Sequence, residues 1–347
     1  MKQQKIMKQL KPITLDERIN QDLTELYRIL HKSAQLKGIK EEVLGISAAV
    51  KLSEKLYSGD NKHKDDDAYA LSTLGLPGYF TGDREAKTVM VMLNPGISAM
   101  ENDNPLRTMK SINDVGIKLD KGVDGFIKSY IEKNSKFGDH KSYKVDAFDL
   151  KQAVFLSAWI DTEVDIPKGF PELLKENTGK KDAVIKKEID KLKKDATINV
   201  LTQKLQLELI PYASRKFDTN NANLEVLMPY LETLLHEIFK ADRKYIIFCS
   251  DFFERLFNYA NGRNEIQIEF IKRKEPIELK EKGEDKSKKA FCSVVNISCK
   301  VGNKKKTFKA IIAHTFSNQS LTNAYNKMRE YGHKCLECLN EYQQTHK

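Results

Sequence analysis

The chain has 347 residues, 40% of them apolar, and carries 59 Lys and Arg against 49 Asp and Glu, a formal charge of +10. That apolar content excludes a globally disordered chain, and the length allows one large domain or two smaller ones. No stretch approaches the roughly 18–20 apolar residues of a membrane span, so no membrane partner is expected.

In chain order, Thr14-Leu15-Asp16-Glu17 fits a capping box, and Ile19, Leu23, Leu26 and Leu30 follow at helical spacing towards a stop at Gly38. A second amphipathic segment carries Val43, Ile46, Val50 and Leu56. These two helices predict an N-terminal helical extension over 1–70. The main domain is then 71–347. Leu74–Asp83 (LGLPGYFTGD) reads as a structured loop ahead of the run Lys87–Gly96, KTVMVMLNPG. Five consecutive apolar residues there suit a strand buried on both faces of a parallel sheet. Asn94-Pro95-Gly96 ends it, because Pro95 supplies no amide for pairing and Gly96 tolerates a sharp turn.

Asn104-Pro105 predicts a helix start, a further helix covers Phe126–Lys133, and Ala147–Trp159 is apolar enough for core. The lysine-faced helix Gly179–Asp195 lies in an expected insertion over about 162–200, read as a solvated face ahead of a DNA-contacting element. Leu205–Tyr212 alternates as a strand with Gln206 and Glu208 on its polar face. Ala222–Lys240 is helical around Pro229, Lys244–Cys249 is a short apolar strand, and Ser250 caps a helix ended by Gly262. Three alternating segments follow (Gln267–Arg273, Phe291–Cys299, Thr307–Ala313), antiparallel strands joined by a charged loop (Lys280–Lys289) and a Gly302-Asn303 turn. The last strand ends at His314, ahead of HTFSNQSL and a C-terminal helix.

In open α/β sheets ligands bind beyond the carboxyl ends of strands. LNPG, IPYAS and AHTFSNQS are three polar strand ends that converge on one crevice if the strands are parallel. At these residues the chain resembles a family. PGYFTGDREAKTVMVMLNPG is similar to the opening motif of the uracil-DNA glycosylase superfamily, in branches whose strand ends in Asn-Pro-Gly. LQLELIPYASRKF resembles the second-strand region of bacterial members, and AHTFSNQSL sits where the superfamily has its histidine loop. The resemblance covers roughly Leu74–Tyr331. Thr315 stands where the common His-Pro-Ser motif has proline, and Asn94 where the most active uracil-specific branch has aspartate.

The resemblance implies a three-layer α/β/α fold with a central, mainly parallel sheet and a monofunctional DNA glycosylase activity. The substrate would be a damaged or modified base, a pyrimidine, with a bulky modified cytosine of phage DNA as the specialised case. Asn94 would hold water through its carbonyl oxygen, and His314 would donate to the departing base. Pro95, Gly96, Tyr79, Phe80, Glu208 and Tyr212 would line the base pocket, the three aromatics as stacking faces or equally as core. Phe316 or Leu321 would fill the gap left by the flipped base, with Phe316 equally readable as a core plug. Ser317, Asn318, Gln319 and Ser320 would complete the contacts to single- or double-stranded DNA.

Other classes find little support. There is no phosphate-binding glycine loop, nucleophile elbow or HExxH zinc motif. Cys335 and Cys338 have CxxC spacing without a second pair, so no metal and no cofactor are expected. Five cysteines with no disulfide-scaffold pattern, and a basic start lacking a secretion signal's apolar core, predict a reduced, cytoplasmic monomer. The competing readings are a non-catalytic nucleic-acid-binding protein on the same fold and a nucleoside or nucleotide hydrolase.

Overall fold

In a computed structural model of the chain, the residues described are 13–35, 45–57, 63, 66–96, 105–137, 145, 147–160, 182–279, 288–301, 304–316 and 325–345. They form nine helices and seven strands. The expectations placed on Gly38, Val43, Asn104, residues 162–181, the loop residues 280–287 and the Gly302-Asn303 turn lie outside the described residues.

The strands are β1 (Phe80–Gly82), β2 (Thr88–Met92), β3 (Lys204–Glu208), β4 (Tyr245–Cys249), β5 (Gln267–Leu279), β6 (Lys288–Val301) and β7 (Lys304–Ala313). They make one sheet in the order β1-β3-β2-β4-β7-β6-β5. The four central strands β3, β2, β4 and β7 are mutually parallel, and β1 and the β6–β5 hairpin add antiparallel flanks. β2 is buried at every position, as its unbroken apolar run requires of a central parallel strand. The period-two segments at the carboxyl end do form the antiparallel β5–β6–β7 unit.

Alternation along the strands sends side chains to two separate cores. Val89, Val91, Leu205, Leu207, Phe248 and Ile312 join one cluster, and Met90, Met92, Ile247, Cys249, Ile311 and Ala313 join the other. The first core is covered by α1 (Leu15–Gln35), α2 (Ser47–Leu56), α3 (Pro105–Asp114), α4 (Gly122–Asn134), α7 (Leu224–Lys240) and α8 (Phe252–Ala260). The second is covered by α5 (Ala147–Leu156), α6 (Asp182–Leu201) and α9 (Tyr325–Thr345). The result is three layers, helices on both faces of a sheet.

The capping box is formed: Thr14 N–H donates to Glu17 Oε2 at 2.7 Å and Glu17 N–H to Thr14 Oγ1 at 3.2 Å. The N-terminal helices are not a separate layer, since Ile19, Leu23, Leu26 and Leu30 are fully buried in the same cluster as Val89 and Val91. Likewise the lysine-faced helix ends inside the fold, where Thr197, Val200 and Leu201 are buried and lead directly into β3. Gly332 lets α9 approach α5 closely, because a Cβ there would collide with the carbonyl of Phe155.

Candidate active site

Parallel pairing puts the ends of β2, β3, β4 and β7 on one edge. Leu207, Val91, Phe248 and Ile312 are level across the four strands. Asn94 therefore stands three residues past that level on its strand, and His314 two residues past it on its own. β4 separates the two strands, which puts their ends about 10 Å apart by strand spacing. The described ends of these segments, Asn94–Gly96, Ile210–Ser214 and Ala313–Phe316, share that edge of the sheet.

The turn at Asn94 is clamped on both sides. Beyond β3 the chain keeps pairing, with Leu209 N–H on Met92 O at 2.9 Å, Ile210 N–H on Leu93 O at 2.8 Å and Ser214 N–H on Pro95 O at 3.3 Å. Gly96 and Ser214 then form a parallel bridge. From the other side, a Cβ on Gly78 would lie 2.7 Å from Pro95 Cγ, so only glycine lets the 74–79 loop close over the proline. Pro95 is half-buried and Gly96 exposed, and neither presents a side-chain group that reads a base.

Asn94 is oriented by its neighbours. Its Nδ2 donates to Ser214 Oγ at 2.8 Å and to Pro95 O at 3.3 Å, while Ser214 Oγ donates its proton to Lys216 O at 2.8 Å. Ser214 Oγ and the proline carbonyl both act as acceptors here, so the nitrogen must face them. Asn94 Oδ1 is left without a partner among the described residues, a free carbonyl oxygen at the carboxyl edge.

His314 is held through its backbone. Its N–H donates to Tyr331 Oη at 2.7 Å, and that hydroxyl donates to Phe291 O at 2.7 Å. The ring packs 5.4 Å from Phe291, and Nδ1 lies 3.3 Å from Thr315 O. A carbonyl only accepts, so this contact selects the Nδ1–H tautomer. In the neutral ring Nε2 is then an acceptor. It becomes a donor only in the imidazolium, so a neutral His314 offers a departing base no donor at Nε2.

A buried polar row runs up β3 beside Met90 and Met92. Lys204 Nζ donates to Gln152 Oε1 and, at 2.6 Å, to Gln206 Oε1, and Gln206 Nε2 donates to Glu208 Oε1 at 2.7 Å. The polar face that alternation predicted for this strand is thus covered by α5 rather than by solvent. Burial pushes Glu208 up to about 8, against the Gln206 hydrogen bond and the Lys204 charge, which lower it. Burial also brings Lys204 down to about 8, with Asp149, Cys249 and Glu208 opposing. Burial thus disfavours charge on both groups and favours the neutral carboxyl on Glu208. Glu208 Oε2 is buried without a partner.

Three predicted stacking faces are elsewhere. Tyr79, Phe80 and Tyr212 are buried in the α1-side core, at 3%, 1% and 2% exposure. Tyr79 Oη and Tyr212 Oη both donate to Asp22 Oδ2 of α1 at 2.5 Å, and Phe80 packs edge-on against Tyr130 at 6.3 Å. Desolvation raises the Asp22 pKa despite these donors, as expected for a carboxyl placed in a core. These rings anchor α1 to the sheet and are not platforms for a base. Of the two readings of Phe316 the core plug holds: at 1% exposure it meets Phe155 edge-on at 5.0 Å and fills the α5–α9 core, so it is not free to fill a DNA gap. Ser317, Asn318, Gln319, Ser320 and Leu321 lie outside the described residues.

Four residues escaped sequence reasoning: Ser214 and Tyr331 at this edge, and Gln152 and Lys204 at the far end of the polar row that leads to it. Ser214 sits in the quoted LELIPYAS segment, but only the bridge to Gly96 identifies it. Lys204 carries a signal, a lysine two residues before Gln206 on the face that alternation makes polar. Tyr331 carries none. The Cys292 thiol lies beside those of Cys335 and Cys338 in the α9-side core; its contact with Cys335 raises the Cys292 pKa, against the Cys338 contact, and its contact with Cys338 raises that of Cys338. No group of three or more His, Cys, Asp or Glu among the described residues is placed to hold a metal ion. No helix among the described residues is long and apolar enough to cross a membrane. Set against protein-family models, curated proteins and solved structures, the chain matches none of them.

Proposed function

We propose that this chain is a monofunctional DNA glycosylase of the uracil-DNA glycosylase kind, acting on a damaged or modified pyrimidine that it flips from the strand. The carrying observation is the freed Asn94 Oδ1 at the carboxyl edge, with His314 on the same edge two strands away. Oδ1 would accept a hydrogen bond from a water and aim its oxygen at the anomeric carbon. An amide is no strong base, so departure of the base must come first, with positive charge growing on the sugar. Protonated His314 would meet the negative charge growing on the base, an effect typically worth about 3–4 kcal/mol. Arg215 and Lys216, exposed directly after Ser214, would take the flanking phosphates.

The Thr315 carbonyl beside His314 Nδ1 favours a second reading, a non-catalytic nucleic-acid-binding protein, because it withholds a proton from Nε2 in the neutral ring. One assay separates the two. Duplexes carrying different modified bases are incubated with the protein, treated with alkali and examined for strand breaks at abasic sites. Breaks that vanish in Asn94→Ala and His314→Ala support the glycosylase. Binding without abasic sites across the panel supports the second reading.

A further inference from the structure

Lys204, Gln206 and Glu208 form a chain of hydrogen bonds with a direction. Two protons of Lys204 Nζ go to the carbonyl oxygens of Gln152 and Gln206. Flipping the Gln206 amide would set its NH2 against the lysine, donor on donor, so its nitrogen must point at Glu208 Oε1. That oxygen is thereby fixed as an acceptor. In the neutral acid the proton belongs on Oε2, which has no partner and is buried, in a residue 8% exposed.

A buried donor without an acceptor destabilises a fold by about 1–3 kcal/mol. Among the described residues none supplies that acceptor: Met92 is level with Glu208 on the neighbouring strand, and the Cys249 thiol is turned to its own strand at Ile247 O, 3.8 Å away. Glu208 is the last residue of β3, level with Met92 on the neighbouring strand and two residues short of the level of Asn94.

Resting on the glycosylase reading, we propose that Glu208 reads the flipped base by donating Oε2–H to an unprotonated ring nitrogen, so the site takes cytosine-type bases over uracil-type ones. The pairing edge of cytosine has a bare N3 at its centre. The same edge of uracil has N3–H, which would meet the carboxyl donor against donor. Sites built to hydrogen-bond one pattern reject its inverse strongly, because buried groups are left unpaired. Lys204, Gln206 and Gln152 are positioning residues in this scheme, since they fix which oxygen of Glu208 carries the proton.

The test compares base release in single turnovers from matched duplexes carrying 5-hydroxymethylcytosine, 5-hydroxymethyluracil, cytosine or uracil. The wild type and the Glu208→Gln and Glu208→Met variants are used, each checked for folding by thermal melting. Wild type is expected to favour the cytosine member of each pair by about tenfold or more. Glu208→Gln, whose NH2 replaces Oε2–H, keeps that preference, and Glu208→Met levels it. Equal release, a uracil preference, or a cytosine preference that survives in Glu208→Met overturns the inference while leaving the glycosylase reading intact. Release from no duplex by the wild type overturns both.

Discussion

The hydroxyl of Tyr331 accepts the backbone N–H of His314 and donates to the carbonyl of Phe291, each at 2.7 Å. One side chain thus joins α9, the end of β7 and β6, and fixes where the histidine leaves the sheet. Tyr331→Phe keeps the ring in the core and deletes both bonds. It should lower stability by about 1–3 kcal/mol, since it strands a partly buried carbonyl and a partly buried amide. Base release should fall by about tenfold, through a misplaced imidazole. Equilibrium unfolding and single-turnover release measure the two effects. A stability loss with unchanged release would remove His314 from the chemistry.

Ser214 controls Asn94 in the same way. Ser214→Ala removes the acceptor that holds Asn94 Nδ2 and frees the amide to rotate, so release should drop by about five- to tenfold with little change in folding. Asn94→Asp tests the arrangement from the other side. Its carboxylate cannot donate to Ser214 Oγ, whose proton already serves Lys216 O. The aspartate should lose its fixed orientation unless the serine turns towards it. Restored or increased release in the double variant Asn94→Asp, Ser214→Ala, above Asn94→Asp alone, would contradict this account.

The sheet was legible because period and turn chemistry coincide at β2, where five apolar residues meet Asn-Pro-Gly. The antiparallel carboxyl-terminal strands were legible from alternation. Partners were not. Whether Gln206 and Glu208 face water or a helix depends on α5, which is more than fifty residues upstream and carries no local mark of that contact. The same limit affected the aromatics. Tyr79 and Tyr212 next to a candidate site look alike whether they face a ligand or a buried aspartate. Asp22, in a surface-patterned helix, gives no sign that it will be enclosed.

That enclosure makes a prediction about the tyrosines. Tyr79→Phe and Tyr212→Phe each remove one donor to Asp22 Oδ2, and each should destabilise by about 1–2 kcal/mol. The double variant should lose more than the sum, because the buried carboxylate then has neither donor. Release of the base from duplex DNA should be unchanged in the folded fraction. A specific loss of release, without loss of stability, would return these rings to the pocket.

Phe316 separates core from wedge with one substitution. In the α5–α9 core, Phe316→Ala should lower stability by about 3–5 kcal/mol, the usual result of emptying an aromatic site. A side chain used only to fill the gap in a duplex would leave stability unchanged and weaken binding to DNA. Denaturant unfolding without DNA is therefore sufficient.

Glu208 and Lys204 give the pH dependence. Glu208 rises from 4.5 to about 8 in the fold, so between those values the folded chain holds a proton that the unfolded chain gives up. Its contribution to stability is therefore full below about pH 4.5 and declines as pH rises to about 8. Lys204 falls from 10.5 to about 8, so its contribution recovers as pH rises from about 8 to 10.5. Glu208→Gln abolishes the first change and leaves the second. The variant should gain on the wild type through the acid-to-neutral range, by on the order of 2–4 kcal/mol at pH 8. Urea unfolding of both proteins at about pH 5, 6.5 and 8 measures that widening gap. A constant difference across the series would mean that Glu208 is ionised in the fold, and Oε2 would then be an acceptor with no proton to offer a base.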